Sequence, residues 1–182
     1  MNMIIKQLTD INIGDVGKCD GEFIVDSEMF IYVEKNSIRY QVLDRPPYLK
    51  RYDKDDIDYQ IYMNNPEKAI FIAYVDGSVA GQVILYKSWN NYAYLHEIIA
   101  DINFRRQGVG RALMQAAITW AKERHLPGLM LETQTNNLPA CRFYESCGFE
   151  LGGFDNNLYK GINKDSREVA LFWYLYFDDS RS

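Results

Sequence analysis

The chain has 182 residues, 47% hydrophobic and 14% aromatic, which suits one folded unit with a real core and excludes a disordered chain. A formal charge of -5 and a pI near 5.1 argue against a nucleic-acid partner, which needs a basic face. Three cysteines (Cys19, Cys141, Cys147) lack metal-like or redox spacing, and no apolar run reaches membrane-spanning length, so a cytoplasmic protein with no membrane partner is expected.

Residues 3–8 read as a first strand and 11–19 as a weak short helix. Residues 23–33 and 38–43 look extended around a Lys35-Asn36 turn. Arg45-Pro46-Pro47 should break any element there. Residues 53–63 begin acidic and predict a short helix, stopped by Asn64-Asn65-Pro66.

Residues 69–75 and 79–86 are apolar runs joined by Asp76-Gly77, a strong hairpin signal. Trp89-Asn90-Asn91 turns again, and 92–101 predicts a third strand of an antiparallel meander. The period then becomes helical. Leu113, Ala116, Ala117, Trp120, Ala121 and Arg124 share one face, and Pro127-Gly128 ends the helix. Residues 129–133 predict a buried strand. A second helix over 137–147 closes at Gly148, and strands follow at 149–153, 157–162 and 169–177. The order predicts a mixed α/β fold with a mostly antiparallel sheet flanked by helices.

The stretch FRRQGVGRALM (104–114) lies where a strand should end and a helix begin. Helix starts carry unpaired N–H groups and a positive dipole end, and Gly108 and Gly110 let an anion approach the backbone. A diphosphate is the natural guest. A P-loop would need Gly-Lys-Ser/Thr, which Gly110-Arg111-Ala112 lacks. A dinucleotide fingerprint would want a glycine or alanine where Leu113 stands, although Glu132 falls roughly where a ribose-binding acid belongs, which leaves an NAD-dependent oxidoreductase as an alternative.

A third reading comes from resemblance. Arg105-x-x-Gly108-x-Gly110 resembles the acetyl-CoA-binding motif of the GCN5-related N-acetyltransferase (GNAT) superfamily. Asn137-x-x-Ala140-x-x-Phe143-Tyr144 with Gly148-Phe149 resembles its second cofactor motif. The match spans about residues 69–177. The strings WNNYAY (89–94), GLMLETQTNNLPACRFYESCGF (128–149) and FWYLYF (172–177) resemble the streptothricin acetyltransferases, an antibiotic-resistance branch. One departure is Arg106, where the family usually has glycine.

The resemblance implies a single N-acetyltransferase domain over 1–182, with 1–68 a variable acceptor-binding part and 69–177 the acetyl-CoA-binding core. It implies that the backbone amides of Gln107, Gly108, Val109, Gly110 and Arg111, with Arg105 beside them, hold the diphosphate. Ile99, Ala100 and Ile102 would offer a strand edge to the pantetheine arm. Asn137 would hydrogen-bond that arm, Ala140 would leave room for it and Phe143 would pack nearby. Tyr144 is the implied general acid and Glu97 the candidate general base, with His96 on the opposite face as its rival. No metal is implied.

The acceptor would be a small cationic amine. Streptothricin, through its β-lysine moiety, is first; a polyamine or a protein lysine or N-terminus is the alternative. Asp53, Asp55, Asp56 and Asp58 could receive it, with Trp89, Tyr92 and Tyr94 as walls, or the aromatics could be sheet packing. A non-catalytic acetyl-CoA sensor is a further reading. The aromatic final strands make a homodimer plausible.

Overall fold

The structure is a computed structural model and describes residues 1–53 and 55–177. In chain order it forms β1 (Met3–Gln7), β2 (Phe23–Glu34), β3 (Ser37–Lys50), β4 (Lys68–Val75), β5 (Ser78–Lys87) and β6 (Ala93–Ala100). Then come α1 (Val109–Glu123), β7 (Gly128–Gln134), α2 (Leu138–Ser146), β8 (Glu150–Asp155) and β9 (Ala170–Tyr176). The fold is mixed α/β with mostly antiparallel strands, as the order of patterns predicts. Two compact units divide it: Met1–Glu22, Arg51–Leu129 and Phe177 form the first, Phe23–Lys50 and Met130–Tyr176 the second.

In the first unit the strands run β1-β4-β5-β6, each pair antiparallel. Asp76 and Gly77 turn the β4–β5 hairpin with φ of 47° and 86°, the positive pair a tight hairpin needs. Helix α1 packs on β1, β4, β5 and β6 through Val109, Leu113, Met114, Ala117, Trp120 and Ala121. Burial at this spacing is what holds a 15-residue helix in place. Gly81 makes the close seat possible. A Cβ there would meet the Ile99 carbonyl oxygen at 2.6 Å and Val109 Cγ1 at 2.7 Å. Leu8, Tyr62, Ile70, Ile72 and Ile84 form a further core cluster.

In the second unit β2 and β3 pair antiparallel around Lys35 and Asn36, whose φ values are 48° and 61°. The three strands of its other layer run β7-β9-β8. Gly152 leaves room for the Tyr174 ring, which a Cβ would meet at 2.5 Å.

Four expectations about the elements fail. β3 does not break at Pro46-Pro47. The register passes from Val25↔Tyr48 to Ser27↔Asp44, so both prolines fall in an irregularity where no ladder N–H is required. Residues 157–162 form a 3-10 turn over Leu158–Gly161, not a strand. The helix over 53–63 shrinks to a 3-10 turn over Tyr59–Tyr62, because Asp58 caps it through the Gln60 N–H at 3.0 Å and starts the turn late. Lys54 of that stretch lies outside the described residues. Similarly, the weak helix over 11–19 is only a turn at Ile13–Asp15.

Candidate active site

The first unit carries the glycine turn and the end of β6. Past Ala100 the chain folds on Asp101, whose buried carboxylate accepts N–H bonds from Asp20 (2.8 Å) and Asn103 (2.9 Å). Burial pushes this carboxyl up, yet those donors, the Asn103 amide and nearby Arg105 prevail and hold it below its ordinary value. Ile102 departs from the expected strand edge. It opens a 3-10 turn, Ile102–Phe104, and its N–H is spent on the Asp20 carbonyl at 3.0 Å. Ile99 and Ala100 remain in β6, paired with Gln82 and Gly81.

Arg105 braces the turn from outside. Its guanidinium donates to the carbonyls of Glu22 (2.6 Å) and Ala100 (3.4 Å). Arg106 takes a φ of 63° and is exposed, so the side chain stands in solvent while the backbone adopts the conformation glycine favours. Gly108 follows as the N-cap of α1 with φ 86° and ψ 0°, and no side chain caps the helix. A Cβ built on Gly108 meets nothing within 4 Å. The helix therefore opens with an accessible backbone, and its first N–H groups have no acceptor four residues back. Gln107 is exposed, Val109 is buried, Gly110 half-buried and Arg111 exposed. An uncapped helix start of this kind is a place where an anion can bind.

Glu97 lies upstream on β6, beside a narrow pocket of about 30 Å³ lined among others by Cys19, Asp55, Tyr59 and Gln82. The register slips between Ile84↔Glu97 and Leu85↔Leu95, which leaves His96 as an extra residue in a bulge. The bulge suspends the simple alternation on which an opposite face for His96 depends. Its Nε2 lies 2.8 Å from Asp55 Oδ2, a pocket carboxylate. Burial, then the Glu97 and Asp55 charges, push the Tyr59 hydroxyl up. Gln82 donates its side-chain amide to Glu97. Sequence reading missed Gln82, although one glutamine inside the buried run of β5 was the available signal.

The other acceptor candidates scatter. Asp58 is a cap, Asp53 and Asp56 are exposed, and Trp89 is 93% exposed and so is not sheet packing. Tyr94 packs 5.3 Å from the Tyr86 ring. No group of acidic, histidine or cysteine side chains suited to a metal occurs among the described residues.

The second unit carries α2. Asn137 is its N-cap, accepting the Ala140 N–H at 3.3 Å, and Pro139 sits in the first turn. Ala140 and Phe143 are half-buried. Tyr144 is 7% exposed, with the rings of Phe143, Phe149 and Trp173 at 5.7, 5.8 and 6.4 Å. Burial, then the Glu145 charge, push the Cys141 thiol up to about 12, so it is no nucleophile near neutral pH. The two positions that bear on the dinucleotide reading are both engaged within the fold. Leu113 is fully buried in the α1 packing face, and Glu132 is engaged by the Tyr159 hydroxyl.

The model of the acetyltransferase (GNAT) family matches residues 37–149. The chain belongs to the GNAT acetyltransferase family. Streptothricin acetyltransferase A of Bacillus subtilis (strain 168) is 37% identical over 175 residues, covering 96% of this chain and all of that one. A Bacillus anthracis chain provisionally assigned as a streptothricin acetyltransferase, solved with acetyl coenzyme A, is 44% identical. It superposes with a TM-score of 0.90 over 98% of this chain and 99% of its own. A nourseothricin acetyltransferase structure follows at 29% identity and a TM-score of 0.80, over 96% and 98%. The chain is thus an N-acetyltransferase, and the two motifs named from sequence fall at the start of α1 and along α2. No helix among the described residues is long and apolar enough to cross a membrane.

Proposed function

We propose that this acetyltransferase inactivates streptothricin, using acetyl-CoA to acetylate the amine of its β-lysine moiety. One observation carries the reading: the identity to streptothricin acetyltransferase A extends over nearly the whole chain, including the N-terminal part where acceptor specificity should reside. The reaction is direct. The acceptor nitrogen attacks the thioester carbonyl, the C–S bond breaks, an amide forms and the coenzyme leaves as thiol.

The amides of Gln107, Gly108, Val109, Gly110 and Arg111 hold the diphosphate, with the α1 dipole behind them. Ile99 and Ala100 align the pantetheine arm, and Asn137, Ala140 and Phe143 flank it. Glu97 takes the proton from the acceptor ammonium, and its charge, with that of Asp55, favours a cation. Tyr144 returns a proton to the sulfur, since a phenol is a weak acid suited to protonating a departing thiolate. Residues 1–68 serve the acceptor and 69–177 the cofactor, in a cytoplasmic enzyme.

The test is thiol release from acetyl-CoA with streptothricin, spermidine or a lysine peptide as acceptor. Rapid release with streptothricin alone is expected; release only with spermidine or peptide would overturn the substrate assignment. Tyr144→Phe should lower kcat about 100-fold at unchanged acetyl-CoA affinity. A sensor that merely binds acetyl-CoA would show no turnover to lose.

A further inference from the structure

We propose that Gln82 is a positioning residue for the acetyl transfer: it clamps the Glu97 carboxylate in the orientation that faces the acceptor amine. The inference rests on the assignment of Glu97 as proton acceptor and extends it.

Gln82 is 2% exposed in the middle of β5, among Ala80, Val83, Ile84 and Leu85. A buried primary amide costs stability unless both of its ends are satisfied. Both ends are used here. The side-chain oxygen accepts the Gly17 N–H at 2.7 Å, and the nitrogen donates to Glu97 Oε1. The Gly17 bond decides the amide's sense. An acceptor must face Gly17, so the NH₂ must face Glu97. The strand pairing explains the meeting. Gln82 lies opposite Ile99, and Glu97 stands two residues before Ile99 on the same face. Gln82, Glu97 and Ile99 all line the narrow pocket.

A carboxylate on a three-bond side chain can rotate away from a substrate. One fixed donor removes that freedom and favours the ionised form, the form a base requires. The arrangement links three segments: the loop at Gly17, β5 and the bulged part of β6. The bulge leaves His96 as the extra residue next to Glu97, while Glu97 itself stays in register opposite Ile84. Other titratable groups facing the pocket are Cys19, Asp55 and Tyr59, with His96 held by Asp55.

Gln82→Leu removes the amide and keeps the volume near that of the original. With streptothricin as acceptor, kcat should fall about 10-fold while the KM for acetyl-CoA stays within about twofold. The acid limb of the kcat profile should move up by about one pH unit, because the ionised carboxylate has lost its donor. A Gln82→Leu enzyme that melts as a cooperative fold and keeps both kcat and the acid limb would overturn the proposal. If loss of the Gly17 contact unfolds that variant, Gln82→Glu decides instead. It still accepts from Gly17 but sets a second carboxyl against Glu97, so the limb should rise further; an unmoved limb would overturn the proposal equally. Glu97→Gln separates the two levels. Full kcat and an intact acid limb in that variant would remove the base assignment itself. A dead Glu97→Gln beside wild-type-like Gln82 variants would remove only the positioning role.

Discussion

The two helices begin in opposite ways. Helix α2 closes its own start, with Asn137 accepting the Ala140 N–H and Pro139 filling the first turn. Helix α1 starts with Gly108 in the left-handed region, no side-chain cap and open space where a Cβ would sit. A helix that exists only to pack would gain about 1 kcal/mol from a capping side chain. Helix α1 forgoes it, and its packing face of six buried residues is enough to keep it folded. The difference marks where an anion can approach: at α2 a side chain occupies the Ala140 N–H, while at the start of α1 no side-chain cap stands in the way.

The largest effect should come from closing the open end. Gly108→Val puts a β-branched residue at φ 86°, where only glycine is comfortable, and covers the backbone that the diphosphate must approach. Loss of two charge-assisted backbone bonds should weaken acetyl-CoA binding on the order of 100-fold. Isothermal titration with acetyl-CoA measures this, and binding within threefold of the original would show that the anion sits elsewhere. The capped end predicts a smaller and different result. Asn137→Ala should lower stability by about 1 kcal/mol through loss of the cap, which is about 2–4 °C in Tm for a chain of this size. Asn137→Asp keeps an acceptor for the Ala140 N–H and should melt within about 1 °C of the original. It loses the amide donor, however. If Asn137 also binds the pantetheine arm, only Asn137→Asp raises the acetyl-CoA KM without a loss of Tm; a rise that always follows Tm would leave the cap as the residue's whole role.

Features written in local pattern were legible in the sequence. Asp76-Gly77 and Lys35-Asn36 mark hairpins because positive φ is demanded there, and the α1 face shows in its three- and four-residue spacing. The glycine turn stands at the start of α1 and the α2 stretch along its helix, where local pattern predicts them. What stayed hidden depends on partners far along the chain. Pro46-Pro47 reads as a break, and only the register against Val25 and Ser27 shows that β3 passes through. Ile102 continues the apolar rhythm of β6, yet Asp101 bends the chain and Asp20 takes the Ile102 N–H. Alternation assigns faces to His96 and Glu97 until a bulge intervenes. The Gln82–Glu97 bond joins residues 15 positions apart through strand pairing, which no single-segment pattern encodes.

The finest test of the contrast between the helix starts concerns Arg106. It is exposed and holds φ 63°, a conformation that costs a non-glycine residue about 1 kcal/mol or more. Glycine would relieve that strain but carries more freedom into the unfolded chain, which offsets about half of the gain. Arg106→Gly should therefore raise stability slightly, by about 0.5 kcal/mol, or 1–2 °C in Tm. Its charge acts in the other direction. An exposed guanidinium near the diphosphate cradle is worth less than about 1 kcal/mol to an anion and is screened by salt. The acetyl-CoA KM should accordingly rise about two- to threefold in dilute buffer and return to the original value at 0.5 M salt, roughly the regime where screening is short-ranged. A fall in Tm would mean that Arg106 makes contacts that outweigh its backbone strain. A KM increase that persists in high salt would mean that the guanidinium grips the coenzyme directly, and the open end of α1 would then owe its affinity to a side chain as well as to its bare backbone.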